Sequence, residues 1–186
     1  MKFFSINGRR IGPGEPVYII AEMSANHGQD KERAKEIIHA MKESGADAVK
    51  MQTYTPDTIT IDCRNEYFVD CLRGTLWEGQ SLYELYAAAF TPWEWQAELK
   101  ELAESLGMDC FSTAFDESSV DFLESIAAPA YKVASFELVH LPLIRRIAET
   151  GKPMILSTGM ASREEIAEAV SAARDAGVTD IALLKC

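Results

Sequence analysis

Short apolar segments alternate with amphipathic segments along nearly the whole chain. The apolar segments predict six strands, at residues 17–22, 46–54, 108–112, 130–135, 153–157 and 181–185. Their nearly continuous apolar character is typical of parallel strands, which are covered on both faces of the sheet.

The intervening segments place apolar residues at helical spacing and carry helix start and stop signals. Asp30 and Asp116 are predicted N-caps, and capping boxes are predicted at Thr91–Glu94 and Ser162–Glu165. The predicted helices cover 30–44, 81–89, 92–106, 116–126, 142–150 and 162–176. Residues 55–80 fit neither pattern and predict a long excursion above the strand ends.

The N-terminus carries a hairpin signal. Asn7-Gly8 is flanked by residues 2–6 and 9–11, and this dipeptide favours a tight two-residue turn. We predict that residues 1–16 form a small β-hairpin plug and that residues 17–186 form a catalytic (β/α) domain.

Strict alternation of strand and helix predicts an α/β fold with a parallel sheet and right-handed crossovers. A TIM-type (β/α)8 barrel and an open doubly wound sheet both satisfy this pattern. Polar residues recur at successive strand ends, as expected for a barrel mouth, and no Gly-rich loop follows the first strand. A barrel needs roughly 250 residues. We therefore predict about the first six units of a barrel, with a curved open sheet as the alternative.

Two of the apolar strands contain a lysine, Lys50 and Lys132. A buried ammonium group is unfavourable unless an anion or a water-filled cleft meets it. Taken alone, each lysine is as consistent with a structural role as with a functional one. The structural role is an internal salt bridge or a side chain that reaches to the strand end. Because the pattern recurs, we favour a shared anion site.

Composition limits the function classes. The 186 residues are 47% hydrophobic and 25% charged, which is typical of a globular chain. A net charge of −11 without a basic run argues against binding of a nucleic acid backbone. No apolar run reaches the roughly 20 residues of a membrane span, and no signal-peptide pattern is present, so a cytoplasmic protein is predicted. The four cysteines form no CxxC pair and the three histidines are scattered, so no metal cluster is predicted.

Four motifs carry a resemblance that spans residues 4–186. They are Ile20-Ala21-Glu22-Met23-Ser24-Ala25-Asn26-His27-Gly28, Lys50-Met51-Gln52-Thr53-Tyr54-Thr55, Tyr131-Lys132-Val133-Ala134-Ser135-Phe136-Glu137 and Ser157-Thr158-Gly159-Met160. In order and spacing, the chain resembles the sialic acid synthase family. The resemblance implies a barrel followed by an antifreeze-like domain, which this chain lacks, and a homodimer in the full-length form.

The implied reaction condenses phosphoenolpyruvate with an open-chain amino-sugar aldehyde, giving a nonulosonic acid and phosphate. By match to the family, Glu22 and Glu137 are the expected catalytic carboxylates, and Asn26 and Tyr54 are tentative sugar contacts. The expected phosphoenolpyruvate contacts are Lys50, Gln52, Thr113, Lys132, Ser135 and Ser157.

The resemblance also implies a divalent metal, Mn²⁺ or Mg²⁺, whose histidine ligands are expected beyond Cys186. Lys185 and the segments 23–25 and 54–57 favour the pseudaminic branch of the family. Its acceptor is a 2,4-diacetamido-2,4,6-trideoxy-altrose. The neuraminic or legionaminic branch is the alternative.

Two alternatives from other classes stay open. One is an aldolase or lyase barrel in which a lysine forms a Schiff base. The other is a non-catalytic fragment that buries its open sheet edges by self-association.

Overall fold

The computed structural model describes residues 3–186; Met1 and Lys2 lie outside the described part. Its main sheet has six parallel strands in the order β3-β4-β5-β6-β7-β8, so each strand pairs with the next one along the chain. The strands are β3 Ile20–Glu22, β4 Ala48–Thr53, β5 Asp109–Ala114, β6 Tyr131–Val133, β7 Met154–Ser157 and β8 Ile181–Leu184.

This strand order decides the architecture. A doubly wound sheet reverses its order at a switch point, whereas a barrel adds strands in sequence around its axis. The described sheet has no reversal and curls into half of a barrel. The predicted TIM-type architecture over six units is therefore confirmed, and the doubly wound alternative is wrong.

The crossover helices cover the outer face of the curled sheet, and three further helices lie within residues 56–89, in the excursion above the strand ends. The helices are α1 Lys31–Glu43, α2 Pro56–Ile59, α3 Glu66–Val69, α4 Leu82–Ala89, α5 Trp93–Ser105, α6 Glu117–Ser125, α7 Leu141–Ala148 and α8 Arg163–Asp175. Asp30, Asp116 and Ser162 cap the starts of α1, α6 and α8 as predicted. Among residues 3–186, no helix is long and apolar enough to cross a membrane.

The predicted capping box at Thr91 is wrong. Helix α5 begins after Pro92, and its N-cap makes no side-chain hydrogen bond. The Thr91 hydroxyl instead lies 2.9 Å from Nε2 of the fully buried His27. The backbone N–H of Gln29 donates to His27 Nδ1 over 3.1 Å, so the Nε2–H donates to Thr91. A tertiary hydrogen bond between two connecting loops has replaced the local cap.

The hairpin forms where the Asn7-Gly8 signal predicts it. Strands β1 Phe4–Ile6 and β2 Arg9–Ile11 pair antiparallel, and both turn residues have positive φ. Ile6 is fully buried against the apolar inner positions of the sheet, which are Ala48, Phe111, Ala130 and Ile155. Arg9 forms an ion pair with Asp47 just before β4. The hairpin thus packs against the amino-terminal end of the half-barrel, although the division at residue 16 stays a prediction.

The first parallel strand is shorter than predicted. Only Ile20–Glu22 is extended and paired, while Val17 and Ile19 are 79% and 51% exposed. Strand β3 pairs only with β4 within the described chain. Before Ile20 the regular pairing gives way to single contacts: the Ile19 N–H donates to Asp47 Oδ2 over 2.8 Å, and the Ile19 carbonyl accepts from the N–H groups of Asp47 and Ala48. At the other edge, Leu183 and Leu184 of β8 are also exposed. Strands β3 and β8 are thus the two open edges of the described sheet. The alternative of a self-associating fragment depends on these two edges.

Candidate active site

The inner face of the sheet changes character from one end to the other. Its amino-terminal half is the apolar layer that Ile6 covers. Toward the carboxyl ends of the strands the inward positions become polar: Glu22, Lys50, Gln52, Thr113, Lys132 and Ser157. Because residues two apart on a strand share a face, Lys50 and Gln52 lie on the same side of β4. The inward-facing side chains thus form an apolar layer at the amino-terminal end of the half-barrel and a polar layer at its mouth.

Lys50 lies in this mouth and is only 6% exposed. Its Nζ is 3.3 Å from Glu22 Oε1 on one neighbouring strand and 3.4 Å from Thr113 Oγ1 on the other. The internal salt bridge that we considered for this lysine is thus present. Both contacts are longer than the usual charge-assisted hydrogen bond, and the Glu22 side chain is 60% exposed.

Lys132 is 5% exposed and has no such partner. Its Nζ donates to Ser157 Oγ and to the Val133 carbonyl, each over 2.6 Å. No carboxylate of the described residues lies within ion-pair distance of it. Burial, together with the positive charge of Lys50, lowers the pKa of Lys132 to about 8. Two buried cations that repel each other favour the entry of an anion between them.

Ser135 is placed slightly apart from this cluster. Its hydroxyl accepts a hydrogen bond from the Gly159 N–H over 3.2 Å and lies 3.7 Å from Cys186 Sγ. A Cβ atom on Gly159 would lie 2.8 Å from the Ser135 oxygen, so only glycine permits this approach. Hydrogen bonds from Ser157 and Ser135 lower the pKa of Cys186 to about 7. Cys186 has no role in the sequence-based predictions. Its position just after β8, at the carboxyl end of a strand, is the signal that could have indicated one.

Glu137 follows β6 in a short 3-10 turn. Its Oε2 is buried and has no hydrogen-bond partner among residues 3–186. Burial raises the pKa of this carboxyl, while Lys132 and His140 pull it the other way. A buried carboxyl oxygen without a partner is unfavourable, so it is ready to accept a hydrogen bond from a ligand.

Both expected sugar contacts follow strand ends of the sheet: Tyr54 comes directly after β4, and Asn26 lies in the turn after β3. Tyr54 is 3% exposed and packs edge-to-face on Phe115 and Tyr86, with ring centroids 5.3 and 5.6 Å apart. Asn26 is exposed in the turn after β3, where its N–H bonds to the Met23 carbonyl. The roles of all the named residues stay predictions.

The described residues do not fit a metal site. No group of three His, Cys, Asp or Glu side chains lies together within residues 3–186. His27 has both ring nitrogens in hydrogen bonds, His39 is exposed on α1, and His140 is exposed just before α7. The expectation of metal ligands beyond Cys186 stays a prediction.

The fold and this cluster together define a class: a TIM-type barrel sheet whose mouth carries paired, buried cations. Residues 37–186 match the NeuB family, and the chain belongs to that family. It is 51% identical to the pseudaminic acid synthase of Helicobacter pylori over 92% of the chain and 50% of that protein. It is 39% identical to the N,N'-diacetyllegionaminic acid synthase of Legionella pneumophila over 89% of the chain and 46% of that protein.

The fold has a close counterpart among solved structures. A sialic acid synthetase from Leptospira borgpetersenii, in complex with citrate, superimposes with a TM-score of 0.83 at 29% identity. The alignment covers 100% of this chain and 59% of that one. The chain thus spans about half the length of the relatives that it matches.

Proposed function

We propose that this chain is the phosphoenolpyruvate-binding part of a transferase that forms pseudaminic acid. In this reaction phosphoenolpyruvate condenses with a 2,4-diacetamido-2,4,6-trideoxy-altrose, and phosphate is released. The higher identity to a pseudaminic acid synthase than to a legionaminic acid synthase, 51% against 39%, supports this branch. Legionaminate or N-acetylneuraminate synthesis is the alternative.

The observation that carries the proposal is the pair of buried lysines. Phosphoenolpyruvate bears a phosphate and a carboxylate, so it needs two fixed positive charges. Lys50 and Lys132 project from strands that are separated only by β5, and the positive charge of Lys50 is near enough to lower the pKa of Lys132 after the larger effect of burial. The hydroxyls of Thr113 and Ser157 already contact these amines and can turn to the phosphate oxygens. We assign Gln52 to the carboxylate end of phosphoenolpyruvate, and the hydroxyl of Ser135 as a further hydrogen-bond donor to the same anion.

The chemistry then needs acid groups beside the reacting carbons. The methylene carbon of phosphoenolpyruvate attacks the aldehyde carbon and forms a C–C bond. The carbonyl π electrons move onto the aldehyde oxygen, which becomes a hydroxyl by taking up a proton that the later addition of water returns. Positive charge is left on the carbon that bears the phosphate oxygen. Water adds to that carbon, and phosphate leaves with the bridging oxygen as the C–O bond breaks. We assign Glu22 and Glu137 to stabilise this cation and to take the proton from the water.

Phosphate release tests the proposal directly. The protein at its natural length is incubated with phosphoenolpyruvate, Mn²⁺ and a panel of amino sugars. We expect release that depends on the sugar, and ¹⁸O placed in the bridging position should appear in the phosphate. Absence of sugar-dependent release, or retention of ¹⁸O in the sugar acid, would contradict it.

One observation favours a second candidate. A lysine with a pKa of about 8, such as Lys132, is partly deprotonated near neutral pH and is suited to form a Schiff base. Borohydride reduction with pyruvate present separates the two candidates. The synthase predicts no covalent adduct, whereas an aldolase or lyase predicts a reduced adduct on a lysine. The homodimer that the resemblance implies stays a prediction, and so does the cytoplasmic location.

A further inference from the structure

A cavity of about 620 Å³ lies above the mouth, on the side of β4 and β5. Gln52 and Glu137 contribute to its wall, and both belong to the candidate site. The opposite wall comes from α2 and α4, in the excursion that connects β4 to α5. The cavity is therefore continuous with the residues assigned to phosphoenolpyruvate.

The lining of this cavity is mainly aromatic and aliphatic. Its principal apolar members are Tyr54, Trp77, Leu82, Tyr86, Phe115 and Phe136. Tyr54 is fixed between Phe115 and Tyr86 by edge-to-face contacts. The cavity thus has a preformed apolar body, which is typical of small-molecule sites.

One residue of the cavity wall carries a buried polar atom that has no partner among residues 3–186. This is the buried Oε2 of Glu137, the one buried side-chain polar atom without a hydrogen bond among residues 3–186. Burial raises the pKa of Tyr86, and the negative charge of Glu137 raises it as well, so the carboxyl lies near the aromatic wall. Buried polar atoms in folded proteins nearly always have a hydrogen-bond partner, so an unpartnered carboxyl oxygen beside the cavity indicates a ligand that supplies the missing donor.

We propose that this aromatic cavity holds the methyl-bearing substituents of the acceptor sugar and selects for them, with Glu137 Oε2 accepting a hydrogen bond from the sugar. The inference rests on the proposed function. An acetamido methyl or a C6 methyl fits an apolar wall, whereas a C6 hydroxyl would lose its hydrogen bonds with water there. Discrimination by an apolar pocket of this kind is about 10- to 100-fold.

Two adjacent alanines near the end of α4 provide a matched test. Ala89 lines the cavity, whereas Ala88 is exposed on the same helix. Ala89→Leu fills the cavity, and Ala88→Leu adds the same atoms outside it. A second pair changes the cavity in the opposite direction: Leu82→Ala enlarges it, and Leu76→Ala is the control at a position that is 95% exposed.

The kinetic test uses two acceptors that differ only at C6, 2,4-diacetamido-2,4,6-trideoxy-altrose and 2,4-diacetamido-2,4-dideoxy-altrose. We expect wild type to prefer the first about 10- to 100-fold in kcat/KM. Ala89→Leu should lower kcat/KM for it at least tenfold with an unchanged KM for phosphoenolpyruvate, and Leu82→Ala should reduce the preference. The two control variants should match wild type. Equal use of both acceptors by wild type, or equal effects of Ala89→Leu and Ala88→Leu, would overturn the inference.

A binding test separates this inference from the proposed reaction, because it needs no turnover. Saturation-transfer NMR on the trideoxy sugar should show the strongest transfer at its methyl protons in wild type and Ala88→Leu. Ala89→Leu should abolish that transfer. Strongest transfer at the ring protons, or transfer that persists in Ala89→Leu, would overturn the cavity assignment. Failure of phosphate release with methyl transfer intact would overturn only the reaction.

Discussion

Replacing Lys132 with methionine should stabilise the folded protein while it removes the anion site. Lys132 is 5% exposed and lies near the like charge of Lys50. Together, burial and that charge lower the pKa of Lys132 from 10.5 to about 8. The protonated lysine is therefore less favourable in the folded state than in the unfolded chain. Methionine has a similar length and no charge.

The size of the effect follows from the pKa. A lowering by about 2.5 units, at about 1.4 kcal/mol per unit, corresponds to about 3 kcal/mol of destabilisation at pH 7. The substitution also removes two hydrogen bonds, to Ser157 Oγ and the Val133 carbonyl. Losing them costs about 1–2 kcal/mol. We expect a net gain of about 1–2 kcal/mol in the free energy of unfolding.

The pH dependence gives the prediction a distinct signature. Between pH 8 and 10.5 the unfolded lysine keeps its proton while the folded one has lost it, so this group makes wild type more stable as pH rises. The advantage of Lys132→Met should therefore shrink between pH 7 and pH 10. Urea unfolding at both pH values measures it. Lys42→Met, at an exposed lysine of α1, is the control and should stay within about 0.5 kcal/mol of wild type.

Thermal unfolding with and without phosphoenolpyruvate tests whether Lys132 is part of the anion site. Phosphoenolpyruvate should raise the Tm of wild type and of Lys42→Met but not that of Lys132→Met. The reasoning is refuted if Lys132→Met is less stable than wild type at pH 7, or if the stability difference does not change with pH. It is refuted equally if the variant keeps the full ligand-induced rise in Tm.

Three further outcomes are expected. Ile6→Ala should lower the free energy of unfolding by about 2–5 kcal/mol in urea, because Ile6 is fully buried, whereas Ile61→Ala at a 63% exposed position should change it little. Burial lowers the pKa of His27 below 6.5, so its contribution to stability is present above pH 6.5 and is lost on acidification. His27→Gln should flatten that loss in unfolding at pH 5 and 7, and His39→Gln, at an exposed site, should not. Glu137→Gln should lower kcat at least a hundredfold and remove an acidic limb of the pH profile that lies above 4.5, and an unchanged profile would contradict its assignment.

The sequence by itself determined the elements and their order. Apolar runs and helical spacing depend on neighbours within a few residues, so the strands around Lys50 and Lys132, the hairpin turn at Asn7 and the cap at Asp116 all form as predicted. The alternation of strand and helix predicted a parallel α/β sheet, and the polar residues at successive strand ends favoured a barrel over a doubly wound sheet. The polar strand ends indicated the mouth before any distance was known.

Only the tertiary structure decided how these groups meet. The Thr91 hydroxyl hydrogen-bonds to His27, a residue 64 positions away, and does not form the predicted cap. The Ser135 hydroxyl accepts a hydrogen bond from the Gly159 N–H. The unpartnered carboxyl of Glu137 and the cavity beside it exist because α4 folds over the ends of β4 and β5. Such contacts depend on strand register and sheet curvature, which bring distant residues together. Local spacing in a chain does not contain that information.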